Sequence, residues 1–70
     1  MDNLKMLREE KGLSQQKLAE KLKTNQQNIH RYEHGFNEPD FKMLTLLADF
    51  FETSIDYLVG HTDIRHKIEH

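Results

Sequence analysis

The side chains best equipped for chemistry fall in one stretch, "NQQNIHRYEHG", residues 25–35. His30 and His34 stand one helical turn apart with Glu33 between them, the H-x-x-E-H order in which two imidazoles hold a zinc ion and a carboxylate acts as general base. The same stretch carries Gln26, Gln27, Asn28 and Arg31. A carboxamide offers a donor and an acceptor that match N6 and N7 of adenine, and a guanidinium fork matches O6 and N7 of guanine. Metal-assisted hydrolysis and the reading of base-pair edges therefore compete for the same residues.

The metal reading falls short on ligands. Two imidazoles do not make a catalytic zinc site, which takes three protein ligands and leaves one position open. The third would have to be His61, His66, His70 or a carboxylate, and these histidines lie in or near a C-terminal stretch with no evident reason to fold back. On a helical wheel Glu33 lies beside Ile29, which turns it toward a core as much as toward solvent. Ordinary solvated histidines account for His30 and His34. The chain has no cysteine, so disulfides and thiolate metal sites are excluded. A zinc-dependent peptidase is kept only as an alternative, and the expectation is a protein with no catalytic residue, no resident metal and no cofactor.

A helix must present these groups, and the chain is patterned to make short helices. Breakers recur at close intervals: Gly12, the polar "KTN" at 23–25, Gly35 to Pro39, Thr53-Ser54 and Gly60. Nothing alternates strictly enough for a strand. The first segment carries Leu4, Leu7 and Arg8 at helical spacing, with Gly12 as its stop. Ser14 is a natural N-cap for the second, whose Leu18, Ala19 and Leu22 form an apolar stripe. In the third, about 100° per residue puts Ile29 and Tyr32 on one side, flanked by Asn25 and Glu33, and Gln26, Gln27, His30, Arg31 and His34 on the other. Asp40 caps the fourth, with Phe41, Leu44, Leu47, Ala48 and Phe51 expected on its core face. Ser54 caps a short fifth helix that carries Ile55 and Leu58 and closes at Gly60. Asp63 is placed to cap one further turn or two with Ile64 and Ile68 at i,i+4, a helix that forms only if it packs on something.

Seventy residues with 36% hydrophobic side chains and no cysteine allow one small core and little room for a substrate cleft. No stretch approaches the roughly 20 apolar residues of a membrane span, and the N-terminus lacks the cationic start and apolar run of a secretory signal. A cytoplasmic protein without a membrane partner is expected. The formal net charge of −2 weighs mildly against nucleic acid, because duplex binding draws on cations facing phosphates. Its distribution weighs the other way, since residues 1–35 hold seven Lys/Arg against five Asp/Glu and residues 36–70 hold three against seven. That asymmetry leaves room for a cationic face on an acidic protein.

From Leu4 to about Gly60 the sequence resembles the Cro and phage-repressor type, xenobiotic-response-element-like helix-turn-helix transcriptional regulators. "KGLSQQKLAEKL", "IHRYEHG", the Pro39-Asp40 entry and "SIDYLVG" fall in that family's order with its spacing, over more than four-fifths of the chain. The resemblance implies an all-α, compact five-helix bundle over residues 1–60, followed by a tail or short extra helix at 61–70. It implies a second helix that crosses the DNA backbone and a third that lies in the major groove. Operator binding is implied too, commonly as a symmetric homodimer, by a regulator that is most simply a repressor acting by occupancy. "NQQNI" is similar to the recognition-helix start of lambdoid phage repressors, which place paired glutamines on base edges.

Carried over residue by residue, the resemblance gives Gln26, Gln27 and Arg31 to bases, with Asn28 and His30 at the rim as base or phosphate contacts. Gln15 is given to a phosphate where the second helix begins. Asn25 is fully explained as an N-cap, though a capping residue can also touch phosphate. Arg8 and Glu33 match the family's paired Arg and Glu, which tie the first helix to the third; burying either charge alone would be costly. The alternative from another class is a protein-interaction module, an antitoxin-like partner with weak DNA binding.

Three features depart from the family pattern. Lys23 stands at the turn position where the family commonly has Gly, a residue that tolerates positive φ; its charge is placed to meet a phosphate. The loop "FNEPD" holds Glu38 and Asp40 where relatives are often basic, so affinity without specificity is expected to be low. Met43, Leu46 and Phe50 form a second apolar stripe on the fourth helix, opposite its core face. Such a stripe calls for cover. Ile64 and Ile68 can supply it, or the same patch on a second copy, which would set two recognition helices on half-sites about 34 Å apart.

Overall fold

The computed structural model describes residues 1–66, which form α1 (Leu4–Glu10), α2 (Gln15–Lys21), α3 (Gln26–His34), α4 (Phe41–Phe50) and α5 (Ile55–Val59), with no strand among the described residues. Short polar side chains start four of these helices. Ser14, Asn25, Asp40 and Ser54 each take extended backbone and accept a hydrogen bond from the amide three residues on, which satisfies one of the amides a helix start leaves unpaired. The start of α1 differs. Asn3 donates its side-chain amide to the Tyr57 carbonyl at 2.6 Å and its backbone amide to the Leu58 carbonyl at 3.4 Å, which fastens the start of α1 to the end of α5.

All five helices end in one arrangement. A left-handed residue follows the last turn, with φ between 54° and 87° at Gly12, Lys23, Gly35, Glu52 and Gly60. The next amide then reaches the carbonyl five residues back: Leu13 to Arg8, Thr24 to Ala19, Phe36 to Arg31, Thr53 to Ala48 and His61 to Asp56, at 2.8–3.2 Å. This is the Schellman motif. Lys23 and Glu52 hold it without being glycine, against a steric cost of roughly 1 kcal/mol each.

Each helix contributes a fully buried aliphatic side chain to one core: Leu4 and Leu7 from α1, Leu18 from α2, Ile29 from α3, Leu47 from α4 and Leu58 from α5. The second and third helices pack on each other, α1 packs on α3, and α4 packs on α5. The site-bearing helix is therefore gripped from two sides.

The fourth helix corrects two expectations. Phe41, placed on the core face by the wheel, is 75% exposed, because as the first helical residue it projects past the end of the core. Met43 and Phe50, expected opposite that face, are half-buried and pack against the core, leaving Leu46 as the exposed member of the stripe. Phe50 meets Phe51 edge-on at 5.0 Å between centroids, and the Lys11 ammonium lies over its ring at 5.6 Å.

The helix expected after Asp63 does not form within the described residues. Residues 61–66 run as a strap without a helical turn. The Thr53 hydroxyl and the Ser54 amide both donate to the Arg65 carbonyl, and the Ser54 hydroxyl donates to that of Ile64 at 3.4 Å. The Arg65 guanidinium pairs with both oxygens of Glu10 on α1. Those external partners take the place of helical hydrogen bonds. Ile64 is 62% exposed, so it does not cover α4, and Ile68 lies outside the described residues. Among the described residues no helix is long and apolar enough to cross a membrane.

Candidate nucleic-acid interface

Opposite demands fix the orientation of α3. Ile29 is fully buried and Tyr32 half-buried against the core, whereas Gln26, Gln27, His30, Arg31 and His34 are exposed. Rotation of this helix would drag amides and a guanidinium into the core, so the polar side is locked outward. Gln15, at the start of α2, joins Gln26, Gln27, His30 and Arg31 in lining a single surface cavity of about 290 Å³.

Behind this face lies a buried charge network. Arg8 Nε donates to Glu33 Oε2 at 2.6 Å, Nη2 to Oε1 at 3.3 Å, and Nη1 to the Leu13 carbonyl at 2.7 Å. The two side chains are 10% and 3% exposed. Hydrogen bonding to Glu33 raises the Arg8 pKa above its ordinary value, outweighing the desolvation that lowers it. Gln15 Nε2 donates to the same carboxylate, Oε1, at 3.0 Å. Glu33 thus joins α1, α2 and α3. Among the described residues no buried side-chain nitrogen or oxygen is left without a partner.

This network bears on the imidazoles as well. With both carboxylate oxygens engaged inward, Glu33 is not poised as a base beside His30 and His34. The two rings lie 4.2 Å apart, centroid to centroid, and Phe36 stacks on His34 at 5.8 Å. Among the described residues no group of three or more His, Asp or Glu gathers where a metal could be held; His61 and His66 do not join the pair, and His70 lies outside the described residues.

The remaining candidates are placed as follows. Asn25 Oδ1 accepts from the Asn28 amide at 2.8 Å, and Asn28 Nδ2 donates to Thr24 Oγ1 at 2.9 Å, so the Asn28 side chain is half-buried in the turn. Lys23 is exposed at φ 56° in that same turn. With Leu22, Asp40, Lys42, Met43 and Leu46 it lines a second cavity of about 330 Å³ beside the loop. Gln15, assigned to a phosphate by resemblance, donates one N–H of its amide to Glu33 and keeps the second. Neither this tie nor that of Asn28 to Thr24 carries a signal in the sequence.

The profile of a family described as Helix-turn-helix matches residues 4–58. The HTH-type transcriptional regulator ImmR of Bacillus subtilis (strain 168) is 35% identical over 66 residues, 94% of this chain and 52% of that protein. An uncharacterized HTH-type transcriptional regulator of the same organism, YqaE, is 40% identical over 58 residues, 83% of this chain and 50% of its own length. The SPbeta prophage-derived regulator YonR, also of that organism, is 37% identical over 68 residues, 97% of this chain and 63% of the relative. The chain therefore spans about half the length of the first two relatives and less than two thirds of the third. No solved structure gives a significant match.

Proposed function

The chain belongs to the helix-turn-helix family, and on that premise we propose that it binds double-stranded DNA in the major groove and regulates transcription, most simply as a repressor occupying an operator. The exposure of Gln26, Gln27, His30 and Arg31 along one side of a helix whose other side is pinned by Ile29 carries this reading. A helix of about 10–12 Å overall diameter fits a major groove about 12 Å wide. That ImmR, YqaE and YonR are all named as HTH-type transcriptional regulators supports the regulatory role.

In this reading residues 1–60 are the DNA-binding unit, with α2 across the backbone and α3 in the groove. Gln26 and Gln27 present amide faces to adenine, and Arg31 presents its fork to guanine. His30 stands at the rim. Asn28, tied back to Thr24, contributes from the turn, and Asn25 and Lys23 approach phosphates. Catalysis and cofactors have no part in it, and the protein acts in the cytoplasm. A homodimer on a two-fold operator belongs to the same reading. With Met43 and Phe50 turned onto the core, Leu46 is what remains of the α4 stripe to contribute to it.

Selection of duplexes from a random pool tests the proposal. A recovered consensus should bind in a salt-sensitive way, and Gln27→Ala should relax its specificity; palindromy would report the dimer. Binding indifferent to duplex sequence, together with a tight protein partner, would favour the interaction module instead.

A further inference from the structure

Three rings continue the exposed side of α3 past its last turn. His30 shares a cavity with Gln26, Gln27 and Arg31 and lies 4.2 Å from His34 between ring centroids; Phe36 stacks on His34 at 5.8 Å with the planes 20° apart. The Phe36 amide donates to the Arg31 carbonyl at 2.9 Å, so the turn that ends α3 fixes where this residue stands. Both imidazoles are exposed, and Phe36 is 71% exposed. Charge around the row does not suit a grip on phosphate. Residues 32–41 contain no Lys or Arg but hold Glu33, paired with Arg8, together with Glu38 and Asp40. The helix has nine residues and spans about 13 Å at about 1.5 Å each, a little more than the major groove's width of about 12 Å. With Gln26 and Gln27 over base edges, its far end is carried to the edge of the groove, where a sugar–phosphate strand runs.

Resting on the proposed DNA-binding function, we infer that the row His30, His34 and Phe36 seats the deoxyribose faces of that strand, so that apolar contact by Phe36, and not charge, holds this flank of the interface. The two kinds of grip respond differently to salt. A cation that meets a phosphate releases counterions, and its contribution fades as salt rises. A phenyl ring against a sugar releases none and contributes the same factor at every salt concentration.

The test measures binding of the wild-type chain, Phe36→Ala and Phe36→Lys to a duplex selected by the wild type, over a range of salt concentrations. Phe36→Ala, checked by thermal unfolding, should weaken binding about 5- to 10-fold at each concentration, as for loss of a partly covered aromatic side chain, with the log–log slope unchanged. Phe36→Lys sets a cation against the same strand and should steepen the slope by about 0.9. Ile64→Lys, the same change of charge at a 62% exposed site on the strap, should leave the slope alone. Deoxyuridine in place of thymidine keeps every sugar, so the Phe36→Ala factor should persist; a factor that disappears with the thymine methyl groups puts the ring on bases and overturns the inference. Full affinity in Phe36→Ala overturns it too, as does a slope that Phe36→Lys moves no more than Ile64→Lys does. All of these leave the DNA-binding reading intact. A wild type that selects no duplex at all overturns both.

Discussion

Arg8→Ala probes the network on which the α3 face depends. The substitution removes the donors at 2.6 and 3.3 Å from a Glu33 side chain that is 3% exposed, leaving Gln15 as its one remaining hydrogen-bond donor. Breaking a buried ion pair from one side costs roughly 3–5 kcal/mol, because a charge is left in a poorly solvated place. The Leu13 carbonyl also loses its donor at 2.7 Å, but Leu13 is only half-buried, so water replaces much of that bond. A chain of this size has on the order of 4–10 kcal/mol of total stability, so the variant should be barely folded. Urea unfolding followed by circular dichroism measures it: with a slope near 1 kcal/mol per molar, the midpoint should fall by about 3 M or the native baseline should vanish. The double variant Arg8→Met/Glu33→Leu removes both charges and should recover most of the loss. The raised Arg8 pKa adds no pH dependence, since a guanidinium held above its already high ordinary value stays charged throughout the range in which the fold is assayed. An Arg8→Ala midpoint close to wild type, or a double variant no better than the single, would refute the argument from buried charge.

Lys23→Gly and Glu52→Gly should each raise stability by up to about 1 kcal/mol by relieving the left-handed backbone; thermal melts check this, and a loss in either case means the Schellman turns are wrongly described. Lys23→Gly and Lys23→Ala should also flatten the salt dependence of DNA binding by about 0.9 in log–log slope if Lys23 faces one phosphate, whereas Glu52→Gly should leave it alone. Ile29→Ala should cost about 2–5 kcal/mol, while Phe41→Ser, at a 75% exposed site, should cost little; denaturant midpoints that rank the other way would displace the core. The Glu10 carboxyl is held below its ordinary 4.5 by the hydrogen bond from Arg65, so any stability it lends is present above that pH and lost as the pH falls through its folded value. An NMR titration should show its midpoint moving up in Arg65→Ala and in high salt; an unmoved midpoint would remove this link between the strap and α1.

Much of the site was legible because α3 is under opposed local demands. The caps Asn25 and Gly35 bound it, Ile29 and Tyr32 choose its inner side, and the glutamines and Arg31 are left outside by the 3.6-residue repeat. The same wheel failed on α4, where it sorts directions and knows nothing of where the core ends. Phe41 has the direction of Leu44 and Ala48 but lies one turn too early to reach the interior. Met43 and Phe50 lie about 40° and about 60° from Leu47 on the wheel, at the flanks of the core face and not opposite it, so both reach the core while Leu46 stays outside. The strap misled for a related reason: Asp63 and Ile64 carry a helix-start pattern, but Thr53 and Ser54 take the backbone carbonyls that a helix would have used. Gln15 and Glu33 stand 18 residues apart, and no periodicity joins them; their contact exists because α2 and α3 pack together.

Titrating a selected duplex into the isotopically labelled chain, and following side-chain amide and guanidinium resonances by NMR, tests the central claim most directly. The Gln26, Gln27 and Arg31 signals should shift or broaden at stoichiometric DNA, with the Phe41 and Ile55 signals unmoved. Shifts gathered at Phe41 and Ile55 with α3 silent would contradict the placement of this helix in the major groove.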